Sequence, residues 1–186
     1  MTTSDNLGPS QHKMSGLIVS ALRGSSLLWT LLITALIGNV IASNINASSS
    51  ASAAVNFTMF VAVLSWIVHL YGLAAVLVSS LSSGMILLPM DILVTLFTFI
   101  DAIVLAAKLR APNCSNIDPF SLPANWVGYG SDDNEKRCRE IQASTAFMWF
   151  LFASSAVVLL FSAKDARGGL GGSTRSGRPN MSQVGV

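Results

Sequence analysis

Four stretches of this chain are each long and apolar enough to cross a lipid bilayer, and that fact constrains everything else. A helix needs about 20 predominantly apolar residues to span the hydrocarbon core. The stretches lie at about 22–42, 54–78, 87–109 and 141–163, the third opening at Met85 or Pro89. Lipid offers no partner to an unpaired backbone N–H or C=O, so each must be helical. The expected fold is therefore all-α, an integral membrane antiparallel four-helix bundle. Of the 186 residues, 52% are hydrophobic and 11% charged. A soluble domain carries about 25% charged residues. The spans use most of the chain and leave no room for a separate catalytic domain.

The remaining segments are short. Residues 1–14 are polar and read as a disordered N-terminus, 15–163 as the four-span domain, and 164–186 as a flexible Gly/Ser/Arg tail. Residues 43–53 make a tight connection, and 79–84 (SSLSSG) a turn that pairs the second and third spans as a hairpin. Residues 110–140 form the one sizeable loop. Val40-Ile41-Ala42 before Ser43 resembles a signal-peptidase site. The long segment ahead of the apolar run argues for a retained first span.

Several function classes are excluded at this point. A net charge of +2, with no basic run interleaved with aromatics, gives no basis for nucleic-acid binding. Two cysteines and two histidines, widely spread, do not make a zinc site, so neither metal nor cofactor is expected. No nucleophile–base pair lies near a span end and no phosphate loop is present, so the chain does not read as an enzyme. Asp132, Asp133 and Glu135 read as a solvated charge run.

Four spans place both termini on one side. Lys13, Arg23, Lys164, Arg167, Arg175 and Arg178 would share that side, against Lys108, Arg110, Lys136, Arg137 and Arg139. Charge alone therefore sets no orientation. Cys114 and Cys138 lie in the same loop, and paired thiols persist in oxidising compartments. The sequons at Asn46 and Asn113 fall on that side too. The reading is cytoplasmic termini and an external loop. A Cys114–Cys138 disulfide would close a loop of about 25 residues and contribute about 3–4 kcal/mol; two free thiols are the alternative.

Charges inside spans need partners, since a mid-bilayer carboxylate costs about 2.5–3.5 kcal/mol on insertion scales. Asp91 follows Pro89 at a helix start, where the dipole favours an acid. It either stays wet there or pairs with Arg23, which sits at comparable depth on the first span. Asp101 lies near mid-span. With His69 near the middle of the neighbouring span, a His69–Asp101 contact is expected unless Asp101 is protonated. Such a pair is either static glue between helices or part of a proton relay or polar headgroup pocket. Trp66, Tyr71 and Trp149 read as packing between helices, and Trp126 as resting on the interface. Arg167, Arg175 and Arg178 are placed to contact the anionic inner leaflet, at about 1 kcal/mol each.

Asp91-Ile92-Leu93 leading to Phe97-Thr98-Phe99, Arg110-Ala111-x-x-Cys114, and Arg137-Cys138-Arg139-x-x-Gln142-Ala143 carry a family resemblance. With four spans and a cysteine pair in the second outer loop, the chain resembles the MARVEL domain, in particular the fungal non-classical export proteins. The resemblance covers about residues 15–186. It implies a multi-pass plasma-membrane protein of furrow-like domains called eisosomes, which organises them and responds to sphingolipid or sterol. The implied partners are membrane lipids, cytoplasmic eisosome scaffold proteins and other membrane proteins, with a homo-oligomer left open. The rival reading is a small proton-coupled transporter or channel using His69 and Asp101.

Overall fold

The computed structural model describes residues 9–78, 84–110, 112–118, 120 and 122–172. Four α-helices account for most of them: α1 (Pro9–Ala42), α2 (Ser49–Leu77), α3 (Gly84–Leu109) and α4 (Asn134–Gly172). Each contains a stretch long and apolar enough to cross a membrane, at Gly16–Ala42, Ser49–Val76, Ile86–Leu109 and Asn134–Lys164. Each helix packs on two neighbours in the ring order α1, α2, α3, α4. Across the diagonals, α1 with α3 and α2 with α4, no backbones come close among the described residues.

The helices outrun the apolar stretches that reveal them. Hydropathy marks where lipid ends, whereas helix ends are set by caps and backbone chemistry. Residues 9–14, read as disordered, already belong to α1. α2 begins at Ser49 because the Ser48 hydroxyl accepts the Ala51 N–H at 3.2 Å. α3 starts at Gly84 with Pro89 inside it. Pro89 lies early enough that its missing N–H removes a single bond near the helix start. α4 begins seven residues before Ile141, because the Asp133 carboxylate accepts the Lys136 N–H at 2.9 Å and Glu135 occupies the first turn. Asp133 is thus a cap and not part of a merely solvated run. At its far end α4 continues through Ala163, Lys164, Ala166 and Arg167, good helix formers, and runs out in the glycine-rich stretch that ends it at Gly172. Nine residues of the supposed tail, 164–172, are therefore helical.

Hydroxyls within the spans bond backward to their own helix: Thr30 to the Ser26 carbonyl, Ser65 to Val61, Thr98 to Val94, Thr145 to Ile141. Polar side chains are thereby satisfied without water. Ile33, Ile37, Val61, Ala62, Ala102, Leu105, Met148 and Leu151 fill the interior. Leu31, Phe60, Ile67, Leu96 and Leu160 face outward. The surface that lipid would cover is apolar.

Over the loop end sits a cap. Cys114 and Cys138 form a disulfide with a Cα–Cα distance of 5.7 Å. Trp126 is buried, not laid on an interface, and donates its indole N–H to the Leu109 carbonyl at 2.8 Å. Arg137 donates to the carbonyls of Val127 (3.1 Å) and Val40 (3.2 Å), joining the loop to the end of α1. The Gly130 carbonyl accepts the N–H groups of Ile45 (2.8 Å) and Asn46 (3.3 Å). Gly130 has φ 110°, and a Cβ there would stand 2.5 Å from the Ala47 backbone, so this closure requires glycine.

Candidate functional site

The interior holds two separate polar clusters. The larger lies toward the end that carries the termini. Arg23 of α1 reaches across the diagonal to Asp91 of α3 in a two-pronged ion pair, Nη2 to Oδ2 at 2.8 Å and Nη1 to Oδ1 at 3.2 Å. Neither residue is exposed by more than 1%. Fork-on-fork geometry is the strongest arrangement open to these groups. The Ser162 hydroxyl of α4 donates to Asp91 Oδ2 at 2.6 Å. Gly72 of α2 lies against the guanidinium, so close that a Cβ there would be 2.1 Å from Nη1. All four helices thus meet at Arg23.

His69 sits one turn before Gly72 on α2 and is fully buried. Its Nε2 lies 3.3 Å from Ser155 Oγ on α4. Ser155 and Ser162 are seven residues apart and share a face of α4. Both diagonals are therefore bridged by side chains where backbones do not meet. Beside them the hydroxyls of Ser26 and Ser154 stand 2.9 Å apart, linking α1 to α4.

The second cluster lies nearer the loop end. Asp101 of α3 is fully buried and accepts the Thr58 hydroxyl of α2 at 3.0 Å. The expected His69–Asp101 contact does not form; each has a different partner. Depth explains this. α2 and α3 run almost to their shared turn, so depth counts from there. His69 is then about 12 Å from the end of α2 and Asp101 about 26 Å from the start of α3, at 1.5 Å per residue. Trp66, read only as packing, also donates to Thr34 Oγ1 at 3.1 Å. Trp149 packs edge-on against Phe99 and Phe152 and stays half exposed.

Of the other predicted residues, Arg175 and Arg178 lie outside the described residues, and Arg167 falls in α4 with its side chain outside them. Arg137 and Gly72 escaped sequence reading. Arg137 reads in the sequence as a loop charge, and Gly72 carries no signal of its own there. At the loop end a cleft of about 310 Å³ is lined in part by Asp133, Lys136 and Glu140. Asp133 is engaged in capping and Glu140 with Asn39. No cluster of metal-ligating side chains occurs among the described residues.

The sequence profile of MARVEL, described as a membrane-associating domain, matches residues 16–161, from the start of the first span almost to the end of the fourth. The chain belongs to the MARVEL family. It is similar to Non-classical export protein 2 of Saccharomyces cerevisiae, 31% identical over 151 residues, covering 79% of this chain and 84% of the relative. It is also similar to that yeast's Non-classical export protein 2 homolog 1, 35% identical over 146 residues, covering 72% and 80%. A shorter match, 42% identical over 94 residues, joins it to Non-classical export protein 102 of Candida albicans, covering 46% and 51%. No solved structure matches the chain. The MARVEL match takes in Arg23, His69, Gly72, Asp91, Asp101 and both cysteines, but it stops just short of Ser162.

Proposed function

We propose that this MARVEL protein is a non-enzymatic tetraspan that organises plasma-membrane microdomains of the eisosome type and responds to their sphingolipid or sterol composition. The observation that carries the reading is the division of polarity in the bundle. Its buried charges are turned inward, Arg23 paired with Asp91 and Asp101 held by the Thr58 hydroxyl, and its outward face is apolar. Such a body acts on its surroundings through lateral contact with lipid and neighbouring spans. Half-exposed aromatic groups line the seams between helices: Phe57, Phe60 and Phe97 between α2 and α3, Phe99, Trp149 and Phe152 between α3 and α4. Their flat rings offer a rigid surface to ordered lipid. Membership of the MARVEL family and the names of the yeast relatives are consistent with such a role.

In this reading the disulfide-bearing end faces outward, where an oxidising compartment maintains the bond, and both termini are cytoplasmic. Residues 173–186, with Arg175 and Arg178, then lie at the anionic inner leaflet, within reach of a scaffold protein. The transporter alternative loses its central pair, since His69 and Asp101 sit in different clusters with different partners.

Imaging of a fluorescently tagged copy in fungal cells, before and after sphingolipid synthesis is blocked, tests the proposal. Static patches that disperse on the block are expected. A uniform distribution unmoved by the block would overturn it.

A further inference from the structure

The cluster around Arg23 forms most of a closed circuit. Ser162 bonds Asp91, Asp91 bonds Arg23, and seven residues back along α4 Ser155 contacts His69. Two atoms of the circuit have no hydrogen-bond partner among the described residues: Arg23 Nε and His69 Nδ1. Arg23 Nε lies against α2, 2.7 Å from where a Gly72 Cβ would stand. His69 is three positions from Gly72 on the same helix face. Both residues are fully buried. Two unsatisfied polar atoms in one low-dielectric place are costly, about 1–3 kcal/mol each.

We infer that Arg23, His69 and Gly72 form an enclosed binding site for one neutral hydroxyl group, which accepts from Arg23 Nε–H and donates to His69 Nδ1. The ligand's chemistry follows from its hosts. The charge of Arg23 is already matched by Asp91, so an added anion would be an unpaired buried charge, and a cation would be repelled by the guanidinium. A hydroxyl donates and accepts at once, which a carbonyl cannot do. Gly72, lacking a Cβ, lets the guanidinium lie against α2 beside His69, which brings the two unpartnered atoms to one place in the bundle. A group held by two or more polar partners is what a buried water requires, and the enclosure favours water over the alcohol of a sterol or sphingoid base. Occupancy sets the histidine tautomer: Nδ1 accepts, so Nε2 carries the hydrogen and donates to Ser155. It also closes the circuit α4, α2, α1, α3, α4, so that one small molecule helps hold every helix. This inference does not depend on the proposed role in microdomains.

The test is proton-detected solid-state NMR of the isotope-labelled full chain in nanodiscs of phosphatidylcholine alone, which has no free hydroxyl, and in nanodiscs with added sterol and sphingolipid. Expected in both is magnetisation transfer from an ordered hydroxyl to Arg23 Nε–H, with His69 as the Nε2–H tautomer. Transfer in phosphatidylcholine alone identifies water; transfer that appears only with the added lipids and carries their proton shifts identifies a lipid alcohol. Direct Arg23 Nε to His69 Nδ1 coupling, an Nδ1–H tautomer, or no hydroxyl transfer in either membrane would overturn the site. Ser155→Ala, which leaves both hosts in place, is expected to retain the transfer to Arg23.

Discussion

Arg23 occupies the space that Gly72 leaves: a Cβ on residue 72 would lie 2.1 Å from Arg23 Nη1 and 2.3 Å from Cζ. Gly72→Ala therefore does more than add a methyl group. Overpacking alone costs about 1–3 kcal/mol, and here the displaced atoms belong to a buried ion pair. The guanidinium cannot move aside without loosening its hold on Asp91. We expect Gly72→Ala to lower thermal stability in detergent by more than a Gly→Ala change at Gly16 or Gly24, where a Cβ meets nothing within 4 Å. Equal melting temperatures for the three variants would contradict this.

The Arg23–Asp91 pair predicts a non-additive pattern. Removing one partner strands a buried charge, at about 3–5 kcal/mol. Replacing both by apolar residues removes both charges together. Arg23→Met and Asp91→Leu are each expected to destabilise strongly, while the double variant recovers most of the loss. Unfolding followed by tryptophan fluorescence in lipid bicelles measures the cycle. Additive losses would show that the two side chains act independently.

Cys114 and Cys138 close a loop 24 positions apart in sequence. Chain entropy puts the link at about 3–4 kcal/mol. Cys114→Ser is expected to lower stability by that order and to loosen the cap, leaving the four spans inserted. Peptide mapping under non-reducing conditions should find one cross-linked pair in the parent chain. Two free thiols there would refute the bond.

Arg137 holds two carbonyls, one on the loop and one at the end of α1. Its loss leaves the Val127 carbonyl without this donor, and the Val40 carbonyl with the Ser43 hydroxyl at 3.4 Å, at about 1–3 kcal/mol for an unsatisfied buried acceptor. Arg137→Met keeps the bulk and removes the donors. Faster amide exchange is expected in residues 40–46 and 126–131, with the Arg23 cluster unaffected. Uniform acceleration through all four helices would mean that the cap and the bundle unfold as one.

Asp101 and Thr58 give a milder expectation. Asparagine at 101 still offers a carbonyl oxygen to the Thr58 hydroxyl, so Asp101→Asn should leave insertion and stability within about 1 kcal/mol of the parent, the scale of a single hydrogen bond. A large loss would indicate that an ionised carboxylate is required there.

What sequence could show was governed by the range of the physics involved. Bilayer thickness acts on single helices, so the spans at 54–78 and 87–109 could be read from hydropathy. The Arg23–Asp91 pair was one of two readings open to Asp91, reached from two depths both measured from one membrane face. Pairing His69 with Asp101 rested on where α3 opens: it starts at Gly84, ahead of Pro89, and the two residues differ in depth from the shared turn by nine residues, about 14 Å at the helical rise. Asp133 carried a capping signal, an acid with Glu135 two positions on, that the surrounding charges concealed. Arg137 and Gly72 gave no local signal at all. Their roles exist only once distant helices are packed.

The unequal helix lengths give the bundle a mechanical character. From the Arg23 layer, α1 continues about 21 Å to Pro9 and α4 about 15 Å beyond Ser162, whereas α2 ends about 8 Å beyond Gly72 and α3 begins about 10 Å from Asp91, at 1.5 Å per residue. At the opposite end α1, α3 and α4 are bound directly into the disulfide-linked cap, and α2 through its connection at Ile45 and Asn46. The two long helices are thus cantilevers, fastened at one extremity and clamped again at the polar layer, with free arms beyond it. A sideways load on the long arms is felt first at Arg23 and Asp91.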